Sequence, residues 1–461
     1  MTRPAIWAGG VLLLGLGSGC ASVEPRASFD RAVSGAGDRL SATPQWVRDD
    51  AGREAVRAEI RTLLAEPLTA ERAVAVAFLA NPELQATFER LGMAQAEVAQ
   101  ASRLANPSLE ISRLSPEGSA GGHLTTIGFE LPLLDALLVP LRTRMAELEQ
   151  AHVELEVGSA LVELAAEVRV AVYQLQGAEA LAARLADVER VEKAGYDFAR
   201  SLFSAGNLAQ LEVTLAEATW AEARVALAEA RREVRHAREQ VHRLLGLWGE
   251  DTAWTVAPGP PPLPATEIAL EGLERRAIEH RLDLAAGRSA LDALGRALAL
   301  RKKLRFTPID LDLGIETERE LDGLRLTGPT LALRLPLFDT GKAEIAVLEA
   351  ETKALGWQLE ALAVAIRSEV REKRDDLVAA RDLARFTTGT LLPLRRQALD
   401  GTLRLYNMML GGTPDVLAEK AREIEAERRA VEALRDYWIA RAELERAVGG
   451  RLVSPAKEMS P

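Results

Sequence analysis

The chain has 461 residues, 48% hydrophobic and 27% charged, with only 4% aromatic residues and a formal net charge of −11. That composition excludes a disordered chain, and the acidity argues against a nucleic-acid binder, which would carry a basic face. Ala, Leu, Glu and Arg dominate, as in long packed helices, and the acidity suits either the solubility of such helices or a lumen that attracts cations.

Residues 1–19 read as a signal peptide. Arg3 opens a basic region and an apolar run from Ala5 to Leu16 follows, too short to span a bilayer. Gly17-Ser18-Gly19-Cys20 resembles a bacterial lipobox, in which Cys20 becomes the acylated first residue; Leu16 lies one place early, and ordinary cleavage nearby is the alternative. Ala21 after the cysteine favours delivery to the outer membrane. Cys20 is the single cysteine, which excludes thiol clusters and disulfides within the chain. One acyl chain anchors only marginally, so something else should hold the protein. Residues 20–68 form a lipid-anchored lead-in with one short helix at Gly52–Leu64.

A first repeat spans residues 69–256. Thr69 caps a helix running to Phe78, and Asn81 with Pro82 starts another that runs to Leu104, where Asn106-Pro107 stops it. Thr126 to Leu131 alternates polar and apolar residues; Leu109 and Ile111 do likewise until Arg113 breaks the pattern. Between Pro140 and Pro258 there is no proline, and apolar residues recur at mixed heptad and helical spacing. The one reversal signal is Gly206-Asn207. A helix of about 60 residues would rise about 90 Å, far beyond a compact domain.

Residues 257–264 are a stiff Pro-rich linker. A second repeat, residues 265–450, follows the same plan, and residues 451–461 form a tail. Phe129-Glu130-Leu131-Pro132-Leu133-Leu134-Asp135 returns as Leu333-Arg334-Leu335-Pro336-Leu337-Phe338-Asp339, and Pro82-Glu83-Leu84-Gln85-Ala86 is echoed by Leu282-Asp283-Leu284-Ala285-Ala286. A period near 200 is too long for a solenoid and signals a duplicated half. Asp310 to Glu316 and Leu331 to Leu335 alternate, and the long helices reverse at Gly411-Gly412.

The four strands read as two hairpins. A half-buried sheet of a soluble domain is the ordinary source of such alternation, but the apolar face has no separate globular partner in the sequence, which points towards lipid. Ile127, Phe129, Leu311, Leu313, Leu331 and Leu333 would then face lipid, with Glu130, Asp312, Glu316 and Arg334 facing water. Four strands cannot close a barrel, and an open edge cannot sit in hydrocarbon, so membrane strands would have to be pooled by several chains.

No catalytic constellation or cofactor motif emerges, so the chain reads as a non-enzyme. His123, His152, His236, His242 and His280 are scattered and read as solvated surface residues; none is at metal-ligand spacing. Gly121-Gly122 lacks the context of a phosphate loop. Thr413-Pro414-Asp415 is a helix start with a capping hydroxyl and an acid in the first turn. Met408-Met409 could offer soft ligands to Cu(I), with adaptable packing as the ordinary reading. Arg301-Lys302-Lys303-Leu304-Arg305 complements a helix dipole or meets anionic headgroups.

This order of elements resembles the outer-membrane efflux factors of the TolC and OprM type, from Thr69 to Gly450. The likeness is carried by Asn81-Pro82-Glu83-Leu84, Ala105-Asn106-Pro107-Ser108-Leu109, Leu335-Pro336-Leu337-Phe338-Asp339-Thr340-Gly341-Lys342 and a glycine turn with an acid at each hairpin tip. It departs at Ala136–Leu141, where an apolar stretch replaces a Gly-Lys type of helix start. The resemblance implies a mainly helical chain with a small β part. Duplicated long helical hairpins and two β-hairpins would pool in a homotrimer into a twelve-stranded barrel above a helical periplasmic tunnel. It implies a passive exit duct of a tripartite pump, with a periplasmic adaptor, an inner-membrane efflux transporter and outer-membrane lipid as partners. Gly206, Asn207, Glu212, Gly411, Gly412 and Asp415 would lie at the periplasmic aperture and adaptor tips. Tyr406-Asn407-Met408-Met409 and Tyr437-Trp438-Ile439-Ala440-Arg441 look similar to a branch linked with copper and other heavy metals; drugs are the other cargo class. A periplasmic adaptor, with one hairpin flanked by β domains, and a lipid-anchored coiled coil, which leaves the strands unexplained, are the alternatives.

Overall fold

The computed structural model describes residues 26–115, 123–265, 269–305, 310–334 and 337–452. The signal segment, Cys20, Gly121-Gly122, Leu335-Pro336 and most of the tail lie outside them. The described residues belong to two compact units, one built on segments 1–32, 88–155 and 286–360, the other on 33–87, 156–285 and 361–461.

The caps follow from the sequence. After α1 (Arg26–Ala36), α2 spans Asp50–Leu64, two residues longer than expected because Asp49 accepts the Gly52 N–H. In α3 (Ala70–Ala80) the Thr69 hydroxyl accepts the Arg72 N–H. In α4 (Pro82–Ala101) the Asn81 side chain accepts the Leu84 N–H at 2.9 Å. Each such cap satisfies one of the donors that a helix start orphans.

The first unit holds one antiparallel sheet, order β1-β2-β3-β4: β1 Ser108–Leu114, β2 Leu124–Pro132, β3 Asp310–Arg319 and β4 Arg325–Arg334. Two hairpins were the expectation. They are joined, because β2 pairs with β3 through Phe129↔Ile315 and Leu131↔Leu313, so the two repeats meet in the middle of the sheet. Among the described residues the edges β1 and β4 carry no further strand.

Helix α5 (Leu133–Ser204) begins directly at the end of β2 and is 72 residues long, roughly 110 Å of rise. Its apolar first turns, the stretch where the family likeness lapses, are held by Asp135. That carboxylate accepts the Ala105 N–H at 3.2 Å and pairs with Arg142, whose guanidinium also reaches the Arg103 carbonyl. In the second repeat α9 (Lys342–Phe386) starts after a turn in which Asp339 accepts the Gly341 N–H. Arg301 and Lys302, at the end of α8 (Leu282–Lys303), pair with Glu344 and Glu349 of α9 at 2.5 and 2.6 Å. The basic run is thus engaged with helix carboxylates.

The second unit contains the returning helices α6 (Gln210–Leu245) and α11 (Thr413–Val448), and both end alike. Gly246 and Gly449 take left-handed φ of 68° and 82°, and the next residues, Leu247 and Gly450, donate to His242 and Glu445 carbonyls. This is the double closure that satisfies orphaned carbonyls at a helix end. Against each end docks the residue that precedes the second helix of the same repeat. Asn81 donates to the Leu244 carbonyl at 2.8 Å. Arg281, between α7 (Leu273–His280) and α8, reaches the Ala447 carbonyl at 3.3 Å and Glu369 at 2.7 Å. The duplication is therefore also a duplication of contacts. Around these joints the core is aliphatic, with Leu68, Val74, Phe78, Leu161, Leu175 and Leu245 fully buried. Ala426, Ala430, Ala433 and Ala447 let α11 pack closely, which is how a chain poor in aromatics fills its interior.

The second repeat does not copy the first throughout. After α9 comes a π-helical segment, Thr387–Leu391, and then α10 (Leu392–Asn407). Pro393 has no N–H to close the α-helical ladder, and a π turn absorbs such a mismatch. The Thr387 and Thr388 hydroxyls donate to the carbonyls of Leu383 and Ala384.

A Cβ at Gly246 would lie 2.5 Å from the Ala80 carbonyl oxygen, whereas one at Gly206, also at positive φ, would meet nothing. Gly206→Ala should therefore cost only the left-handed penalty, about 1–2 kcal/mol. Gly246→Ala should lower the thermal midpoint of the purified protein distinctly further; equal shifts would show that the joint is slack.

Candidate functional site

Two places carry the sequence-predicted site residues: the sheet, and the turns of the helical hairpins. In the sheet, side chains directly opposite one another share a face. The register aligns Leu109 with Phe129 and Ile315, Ile111 with Ile127, Leu131 with Leu313 and Leu331, and Leu311 with Leu333. Ile127, Phe129, Leu311, Leu313, Leu331 and Leu333 thus form one continuous apolar face. All of them are exposed in the single chain except the half-buried Leu311. Glu110, Glu130, Asp312, Glu316 and Arg334 stand on the other face, with Glu316 between Gly128 and Gly328. Gly314 is required there, because a Cβ would come within 2.6 Å of the Phe129 carbonyl and the Thr330 hydroxyl and 3.0 Å of Glu130.

At the first hairpin turn Gly206 takes φ of 77°, and Gly206 and Asn207 donate to the Phe203 and Leu202 carbonyls, ending α5 as glycine ends α6. At the second turn the left-handed position is taken by Met409, φ 62°, which a non-glycine residue enters at a cost. Met409 is 93% exposed and Met408 67%, so neither packs within the chain. Thr413 was expected to cap α11. The cap is Gly412, and Thr413 is the first helical residue. Asp415, third in the helix, reaches back to accept the Gly412 N–H at 2.9 Å, the carboxylate half of a capping box.

The turns are brought together round a cavity of about 370 Å³ lined by Glu192, Tyr196, Leu202, Leu208, Glu212 and Pro414, the residue before Asp415. Burial pushes the Glu192 carboxyl up. Tyr196 stacks on Trp220 at 5.4 Å, and Trp220 donates to Glu189. A part-buried ion-pair ladder, which the sequence barely announced, lies on the same helices. Glu427 of α11 accepts from Arg184 of α5 at 2.8 Å and from Arg396 of α10 at 3.1 Å, and Arg395 and Arg396 pair with the buried Glu419 and Glu423. Burial raises the Glu427 carboxyl, but the hydrogen bonds from Arg184 and Arg396 outweigh it and hold the group below the ordinary range. Its only sequence signal is Glu419, Glu423 and Glu427 at four-residue spacing on one face.

The histidines are less uniform than expected. His242 is buried, edge-on to Trp254 at 5.4 Å and 3.3 Å from Glu239; His152 is half-buried on the Ala286 carbonyl. Among the described residues, no three His, Cys, Asp or Glu side chains are placed to hold a metal ion, and no helix is long and apolar enough to cross a membrane.

Residues 73–247 match the family model described as Outer membrane efflux protein. Over that stretch the chain is similar to outer membrane efflux proteins. It is 23% identical over 453 residues to the cobalt-zinc-cadmium resistance protein CzcC of Cupriavidus metallidurans, covering 95% of this chain and 99% of that one. Its fold is similar to that of the CmeC outer membrane channel of Campylobacter jejuni (TM-score 0.69, 15% identity, 85% of this chain and 88% of that one). It is also similar to the open state of the Neisseria gonorrhoeae MtrE outer membrane channel (TM-score 0.66, 18% identity, 83% and 89%).

A carboxyl held below its unfolded pKa, about 4.3 for Glu, stabilises the fold above that pH and loses the contribution as pH falls through the lower folded value. Glu427→Gln should therefore lower the thermal midpoint at neutral pH, and the gap to the parent should close below about pH 4. An undiminished gap in acid would assign the loss to packing instead of charge.

Proposed function

We propose that this chain is the outer-membrane exit duct of a tripartite efflux pump, passively passing substrates delivered by an inner-membrane transporter and a periplasmic adaptor. The observation that carries this reading is the sheet: apolar on one face, acidic on the other, and unpaired at both edges. Hydrocarbon tolerates no open edge, and three copies of four strands give a twelve-stranded closed barrel, above the minimum of about eight. The apolar face then meets lipid and Glu110, Glu130, Asp312 and Glu316 line water. The long helices continue the duct into the periplasm, and the turns at Gly206-Asn207 and Gly411-Gly412, with Glu212 and Asp415 beside them, are its adaptor end.

Heavy-metal cations are the cargo this reading favours. The relative whose name records cobalt, zinc and cadmium resistance supports it, and carboxylates facing a lumen concentrate cations. The protein's own part is to supply a water-filled, cation-attracting path, with the energy supplied by the transporter.

Leu313→Arg, placing a charge in lipid near the midplane, should cost roughly 2–4 kcal/mol and deplete trimers from the outer-membrane fraction. Asp312→Asn, one residue away on the other face, should leave trimers near parental levels. Greater damage from the Asp312 change would reverse the faces or remove the strands from the membrane.

A further inference from the structure

The apolar face is not apolar to its end. Arg113, Thr125, Arg319 and Arg325 stand opposite one another across all three strand pairings. Two residues along each strand, on the same face, come Ile111, Ile127, Thr317 and Thr327, then Leu109, Phe129, Ile315 and Pro329, and beyond them only leucines. Among the described residues of the strands the three arginines are thus the only charged ones on that face, and they lie in a single row at one end of it. All three are exposed, and none makes an ion pair among the described residues. Glu318 precedes Arg319 in the strand and so belongs to its opposite side, and Glu320 lies beyond the strand in the turn. Asp322 spends its carboxylate on the Leu324 N–H, and His123 is hydrogen-bonded to Ser115.

The spacing places this row at a boundary. From Arg319 to Leu311 is eight residues, about 27 Å of strand, and a tilt of about 40° reduces that to about 20 Å, close to the apolar band of about 25 Å on membrane barrels. The helices leave from the other end of the sheet, since β2 passes into α5 at Leu133, and among the described residues that end of the apolar face carries no charge. In the proposed duct the helices lie on the periplasmic side, so the arginines mark the outer rim. Guanidinium groups grip phosphate oxygens in pairs, and a row of them beside hydrocarbon fits a ligand with phosphate above and acyl chains below.

We propose that Arg113, Arg319 and Arg325 form a binding site for the phosphate groups of lipids in the outer leaflet, three sites of three arginines round the trimer. The proposal rests on the duct reading. The test uses the full-length trimer in neutral detergent, titrated with bis-phosphorylated lipid A, with its dephosphorylated form, and with inorganic phosphate as competitor. Replacing Arg113→Gln, Arg319→Gln and Arg325→Gln together should weaken lipid A binding on the order of a hundredfold, leave binding of the dephosphorylated form unchanged, and inorganic phosphate should not compete at millimolar concentration. The triple Arg→Lys variant keeps the charge and loses the paired geometry, so it should bind several-fold more weakly; it serves also if the Gln variant does not assemble. Unchanged affinity in the variants, equal binding of the dephosphorylated lipid, or displacement by inorganic phosphate would each overturn the proposal. A fluorophore on Phe129→Cys in a Cys20→Ala background separates the two readings. Absence of quenching by nitroxide lipids would defeat the duct itself, whereas quenching with unaltered lipid A affinity would defeat only the arginine site.

Discussion

An antiparallel sheet that ends in two unpaired strands leaves a row of N–H and C=O groups on each side, and no lipid can satisfy them. That constraint governs this chain. β1 and β4 are open, one face is apolar over most of its length and the other carries carboxylates. In water the apolar face is the problem; in a bilayer the edges are. Joining edge to edge with further copies, apolar face outward, removes both at once and leaves the acidic face round a lumen. In the proposed duct the long helices have a reason for their length, since the path has to continue where the strands stop.

The duplication is sustained by one joint made twice. A glycine-terminated returning helix is pinned by the side chain that precedes α4 or α8, Asn81 in one repeat and Arg281 in the other. The chemistry differs, an amide against a guanidinium with an added carboxylate partner, while the position is the same. Where the repeats diverge, the cause is local: Pro393 forces the π segment in the second, and the Asp135–Arg142 pair lets α5 start without a turn in the first.

Much of this was legible because it is local. Thr69 and Asn81 announced their helices, strict alternation announced β2 and β3, and Gly206-Asn207 announced the reversal. The fold class and the efflux-factor likeness followed from that order of elements. What stayed hidden depends on residues far apart in sequence. The β2–β3 pairing needs a register between repeats about two hundred residues apart. The burial of His242 needs Trp254, and the ladder at Glu427 needs Arg184 from a different helix. Arg113 looked like a break in alternation; it keeps the apolar face, and only the register shows it in line with Arg319 and Arg325. At the second turn a threonine hydroxyl beside a proline suggested a cap, but the helix begins one residue earlier, so Gly412 holds that place and Asp415 supplies the side-chain acceptor.

The most direct measurement is disulfide trapping between copies in a Cys20→Ala background, pairing single cysteines along β1 from Ser108 to Ser112 with single cysteines along β4 from Thr327 to Thr330. Edge-to-edge closure predicts that one register, and not those shifted from it, gives covalently linked dimers and trimers in the outer-membrane fraction on mild oxidation. Membrane-inserted protein with no β1–β4 crosslink in any register, or with β1 trapped only against β1, would contradict the shared barrel.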